Sequence, residues 1–145
     1  MAASYQASLA KAGIEVSLQP IEPGEYYSIV MDPAKAEGLI RSGWAADWPN
    51  ASTVIPPLFG KGQSFNLGLI DDPAFDAKIA EAKGMTDATA QAAKWAELNK
   101  EAMTHAWIVP TVFGKTQYLW GSKVGGSFMW DAYGAIPYGN LWVKQ

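Results

Sequence analysis

The chain has 145 residues, 49% of them hydrophobic and 17% charged, a composition that fits one globular domain with a usable core and excludes disorder. A net charge of -3 and a pI near 5.0 leave no electrostatic footprint for nucleic acid or an anionic membrane. Cysteine is absent, which rules out disulfides, thiolate zinc sites and a Cys nucleophile, and no apolar run is long enough to span a bilayer.

Tyr5, Leu9 and Ala12 recur at helical spacing, and Gly13 is placed to end that helix in the left-handed conformation. Ile14, Val16 and Leu18 alternate with Glu15, Ser17 and Gln19, which predicts a half-buried strand closed by Pro20 and Pro23. A short helix is expected around Tyr26 to Val30, stopped by Asp32-Pro33. Gly38 to Trp44 reads as a second strand. This order predicts neighbouring parallel strands with helices packed on them, an α/β architecture.

Residues 49–70 are punctuated by Pro49, Pro56, Pro57, Gly60, Gly62 and Gly68, which predicts loop and short turns. Asp72-Pro73 starts a helix with a capping acid and Pro at the first helical position, and its buried stripe is expected to be Phe75, Ile79 and Ala82. Thr86-Asp87 opens a longer helix to about His105, with Ala88, Ala92, Trp95, Leu98 and Ala102 on one face. Trp107 to Phe113 reads as a strand that Pro110 confines to an edge or bulge, followed by a short strand at Thr116 to Trp120. The tail from Gly121 is rich in glycine and aromatics, with Leu141, Trp142 and Val143 as a terminal strand.

Enzymatic chemistry finds no constellation. His105 is the only histidine, which excludes metal sites built from several imidazoles, and its place in the last turn of a helix suits a dipole contact. No phosphate loop or nucleophile elbow is present, and Asp72 is sufficiently explained as a helix cap. Asn50-Ala51-Ser52 matches a glycosylation sequon, a pattern met often by chance. The segment from Arg41 to Asn50 stands out instead, because Asp47 lies between Trp44 and Trp48 and Pro49 comes directly after. Removing water from a carboxylate costs several kcal/mol unless a cation or donors replace it. Two readings are open: a turn whose acid caps the next segment, or a cation-capturing pocket with indole walls. Standing just past a predicted strand, Asp47 falls where open α/β sheets hold ligands.

Gly43-Trp44-Ala45-Ala46-Asp47-Trp48-Pro49 resembles the GW-x-x-D-aromatic segment of the family 5 extracellular solute-binding proteins, the oligopeptide- and dipeptide-binding receptors of ABC importers. Other stretches resemble the same family in the same order. They are Ala12-Gly13-Ile14-Glu15-Val16, Pro57-Leu58-Phe59, Asp72-Pro73-Ala74-Phe75-Asp76, Trp95-Ala96-Glu97-Leu98-Asn99, Trp107-Ile108-Val109-Pro110 and Lys123-Val124-Gly125-Gly126. Together they cover essentially the whole chain.

The resemblance implies a receptor with two lobes closing over a ligand, of which this chain is the C-terminal portion: part of one lobe of a type II periplasmic-binding-protein-like fold, with helices on a mixed sheet. It further implies that residues 1–114 belong to the ligand-binding lobe and that residues 115–145 form a tail returning to the other, N-terminal lobe. Asp47 matches the acid that pairs with a peptide's α-ammonium; Trp44 and Arg41 match cleft residues, with Arg41 placed to meet a ligand carboxylate. Gly43 and Ala45 match the strand whose backbone pairs with peptide, and Phe113 matches an aromatic near the hinge side of the cleft.

The implied partners are a peptide or other small solute and the permease subunits of an ABC transporter, outside the cytoplasm, with no enzyme activity, metal, cofactor or nucleic acid. A leader is expected to lie outside this chain. Asn50 departs from the family pattern, where an acid or proline region often comes after the aromatic. Relatives of this kind also carry nickel chelates, haem or sugars, so a carbohydrate receptor using Trp44 and Trp48 as platforms is an alternative. A small α/β hydrolase domain pairing Asp47 with His105 is another. If the chain is a fragment, Trp120, Phe128, Met129, Trp130, Tyr133 and Trp142 should include several exposed side chains.

Overall fold

The two longest helices begin where the sequence supplies its own caps. In the computed structural model, which describes residues 2–131 and 134–144, five α-helices are present. They are α1 (Ala2–Lys11), α2 (Tyr26–Val30), α3 (Ile55–Phe59), α4 (Pro73–Gly84) and α5 (Ala88–Thr104). The Asp72 carboxylate accepts from the backbone N–H groups of Ala74 and Phe75, and Pro73 occupies the first helical position, where its missing N–H costs nothing. Asp87 caps α5 in the same way through Ala90. Gly13 takes φ +79° just past α1, the left-handed turn expected of it, and Ile14 N–H then reaches back to the Leu9 carbonyl.

The chain divides into two compact units, Met1–Gly38 and Leu39–Gln145. In the first, α1 buries no residue and Val30 of α2 is the one buried apolar side chain among the described residues. The second holds the core, where Ile55 and Phe59 of α3 meet Phe75, Ile79 and Ala82 of α4 and Trp95, Leu98 and Ala102 of α5. Phe75 stands edge-on to Trp107 at 4.9 Å and to Phe59 at 6.3 Å, geometries that suit the ring quadrupoles. The predicted stripe of α4 is buried in full. On α5, Ala88 and Ala92 are exposed, because the first turns run past the core and Gln91 is the partly buried residue there.

Among the described residues the expected mixed sheet is not formed. Residues 14–18, 39–46 and 107–120 are extended or irregular but carry no strand ladder. A strand is completed only by a neighbour, and no described segment lies in register beside these. Gln6 Nε2 instead donates to the Val16 carbonyl at 2.7 Å. The sheet present is a two-stranded antiparallel ladder, β1 (Val124–Gly125) with β2 (Trp142–Val143), so the expected terminal strand exists with a partner from the tail itself. The Trp142 indole lies over Gly125 where any Cβ would collide, and a Cβ on Gly126 (φ +75°) would run into the Asn140 carbonyl. That pair of glycines is what lets the ladder close.

Residues 49–70, read as loop and turns, contribute α3 to the core. Pro56 and Pro57 are compatible with it because they fall in its first turn.

Candidate functional site

The segment around Asp47 takes its shape from the next turn of the chain. Asn50 caps a single 3-10 turn, Ala51–Thr53, by accepting the Ser52 N–H on its side-chain oxygen at 2.9 Å. That turn delivers Thr53 into the interior, where it is 1% exposed. The Thr53 hydroxyl accepts the Asp47 N–H at 3.0 Å and donates to Asp47 Oδ2 at 3.0 Å. Its carbonyl accepts the Trp44 indole N–H at 2.7 Å. Trp44 also stands edge-on to Phe65 at 4.7 Å, and Trp48 Nε1 donates to Ser52 Oγ at 3.0 Å.

Of the candidate ligand-binding residues, Trp44 and Asp47 are therefore brought together on one buried threonine. Trp44 is partly buried and Asp47 exposed, so a carboxylate open to solvent stands beside a fixed indole. Gly43 and Ala45 are exposed on a segment without a ladder partner, and Arg41 is exposed at its start. Phe113 is fully exposed on the 107–120 segment and shares no ring contact with Trp44 among the described residues. Thr53 escaped the sequence reading; its one signal is a hydroxyl residue six positions after Asp47, inside a stretch read as loop. The turn is braced from the core, since Asn50 Nδ2 donates to Gln91 Oε1 at 2.8 Å and Gln91 Nε2 donates to the Ala82 and Met85 carbonyls.

Away from this segment, an open concavity of about 450 Å³ is lined by Gly68, Ile70, the Asp71–Pro73 turn, His105 and Trp107. Its acids are committed: Asp72 caps α4, and Asp71 pairs with Lys61 at 2.7 Å. The hydrogen bond from Lys61 to Asp71 holds that ammonium above the usual lysine value. His105 stands after α5 as its cap and stacks on Trp107 at 4.6 Å and 12°. Asp47 and His105 thus serve different partners, and no described hydrogen bond joins them as a hydrolytic pair would need. Among the described residues no group of three or more His, Asp or Glu is placed to hold a metal ion, and no helix is long and apolar enough to cross a membrane.

A solved structure named "Clavulanic acid biosynthesis oligopeptide binding protein 2" superimposes on this chain with a TM-score of 0.85. The match covers 99% of the chain at 27% identity. The chain resembles part of an oligopeptide-binding protein. It spans 28% of the length of that solved chain, which is consistent with a fragment of the same family. No protein-family model matches the sequence, and no curated protein does. Helices together with a small open sheet are consistent with part of one lobe of a periplasmic-binding-protein-like fold.

Proposed function

We propose that this chain is the ligand-contacting part of an extracytoplasmic solute receptor that serves an ABC importer, with a peptide as its solute. The observation that supports this reading is the match over 99% of the chain to an oligopeptide-binding protein, within which Asp47 stands exposed beside a fixed indole. In this reading residues 1–114 belong to the binding lobe, residues 115–145 return to a second lobe, and the permease is the downstream partner. The binding segment is Arg41 to Asp47, with Phe113 contributed from residues 107–120.

The chemistry comes from charge. An ionised carboxylate accepts two or three charge-assisted hydrogen bonds from an ammonium group, each worth about 1.5–3 kcal/mol. The backbone of Gly43 and Ala45 offers an extended peptide N–H and C=O groups with little regard to its side chains. Arg41 supplies the opposite charge for a carboxylate on the solute.

The test uses the product of the whole reading frame that encodes this chain. Asp47→Asn should weaken binding of a free-amino peptide by roughly tenfold to a hundredfold, while N-acetylation of the peptide removes most of the difference between the two proteins. Equal affinities across both proteins and both peptides in calorimetry would sink the ammonium-capture role. Glycan binding without peptide binding would move the assignment to a sugar receptor.

A further inference from the structure

Asp47 is gripped at two points by one residue. A threonine hydroxyl has a single proton to donate, and here it goes to Asp47 Oδ2 while the same oxygen accepts the Asp47 backbone N–H. The carboxylate is thereby fixed relative to its own backbone, and Oδ1 takes no hydrogen bond among the described residues. Through its carbonyl the same residue also sets the Trp44 indole. Thr53 is too deeply buried to touch a solute itself.

The grip is anchored in turn. Thr53 N–H bonds to the Asn50 carbonyl at 3.1 Å, Asn50 bonds to Gln91 of α5, and Gln91 bonds to two carbonyls at the end of α4. A side chain held in its bound orientation before the ligand arrives loses less entropy on binding, and so binds more tightly with no added contact. We propose that Thr53 is a positioning residue for ligand capture, holding the Asp47 carboxylate and the Trp44 indole in one arrangement and leaving Oδ1 for an ammonium group. This rests on the reading of Asp47 as the ammonium acceptor.

The experiment compares Thr53→Val, which keeps the branched shape and removes the hydroxyl, with Thr53→Ser, which keeps the hydroxyl. Both are made in the product of the whole reading frame, beside Asp47→Asn. Calorimetry uses trialanine and N-acetyl-trialanine as probes. Thr53→Val should weaken trialanine about fivefold or more and leave the acetylated peptide nearly unchanged, and Thr53→Ser should restore wild-type affinity to within about twofold. Gln91→Ala, which frees the same turn from α5, should give a smaller loss of the same kind and stands in if Thr53→Val does not fold. Equal weakening of both peptides, or no weakening, overturns the positioning role, while a selective loss in Asp47→Asn leaves the Asp47 reading standing. A wild-type protein that ignores trialanine, or an Asp47→Asn variant that binds it normally, overturns both.

Discussion

Asn66 is 5% exposed in the turn before α4, and every polar atom of its side chain is engaged. Its Nδ2 donates to the Gly60 carbonyl at 3.0 Å and the Ile70 carbonyl at 2.8 Å, and its Oδ1 accepts the Ile70 N–H at 2.9 Å. One side chain thus replaces the ladder or helix that residues 60–70 lack. Asn66→Ala should leave the Ile70 N–H and carbonyl without this partner, while Gly60 keeps the Gln63 N–H, and lower stability by about 1–3 kcal/mol, read as a drop in the urea midpoint. Asp at the same position should do worse, because a carboxylate would face two carbonyls. Neither Asn66 nor Thr53 is legible in the sequence, since a polar residue in a Pro- and Gly-rich stretch is the ordinary composition of a solvated loop. The tertiary fold turns both inward. Asp47 is the reverse case: its unusual company of indoles marks it, and the structure shows that its first partner is the buried hydroxyl of the next turn.

At the scale of elements, α4 and α5 are joined by apolar packing inside and ion pairs at the edge. Lys78 reaches both oxygens of Glu101 at 2.6 and 2.8 Å, and Lys94 reaches Glu81 at 2.8 Å. The hydrogen bond to Glu81 holds the Lys94 ammonium above its usual 10.5. A raised folded-state value means that the pair's contribution is fully present below pH 10.5 and is lost as pH climbs through the higher folded value. The urea midpoint of the wild type should therefore exceed that of Lys94→Met at neutral pH, with the difference closing only above pH 10.5. The difference should be small, since Glu81 is exposed and water screens it. A gap that persists unchanged at the alkaline end would assign it to packing of the lysine methylenes instead. Both helices are legible because each carries an acid cap and a spaced apolar stripe. α3 is not, because its two prolines read as breakers until their place in the first turn is known.

Across the whole molecule, apolar exposure is concentrated late in the chain. Phe113 and Leu119 are fully exposed, and Trp120, Phe128, Met129, Trp130 and Trp142 are each exposed by more than a third. The fragment reading anticipates this for the last five; Tyr133 of that set lies outside the described residues. Monomeric proteins rarely leave so much apolar surface in contact with water. The isolated 145-residue chain should bind a hydrophobic dye such as ANS and associate with rising concentration on size exclusion with light scattering. A monodisperse monomer that leaves the dye dark would mean that this surface is covered within the chain.

The local pattern of residues was enough for α1, α2, α4 and α5, the turn at Gly13 and the strand at Trp142–Val143, because a helix satisfies its backbone within a few residues and α4 and α5 also announce their starts with acid caps. It took the folded arrangement to leave the segments at 14–18, 39–46 and 107–120 without a ladder, to bring a Pro-rich stretch into the core, and to join Trp44 to Asp47 through Thr53. Strand pairing and burial depend on what another part of the chain places alongside, and no local pattern of residues carries that information.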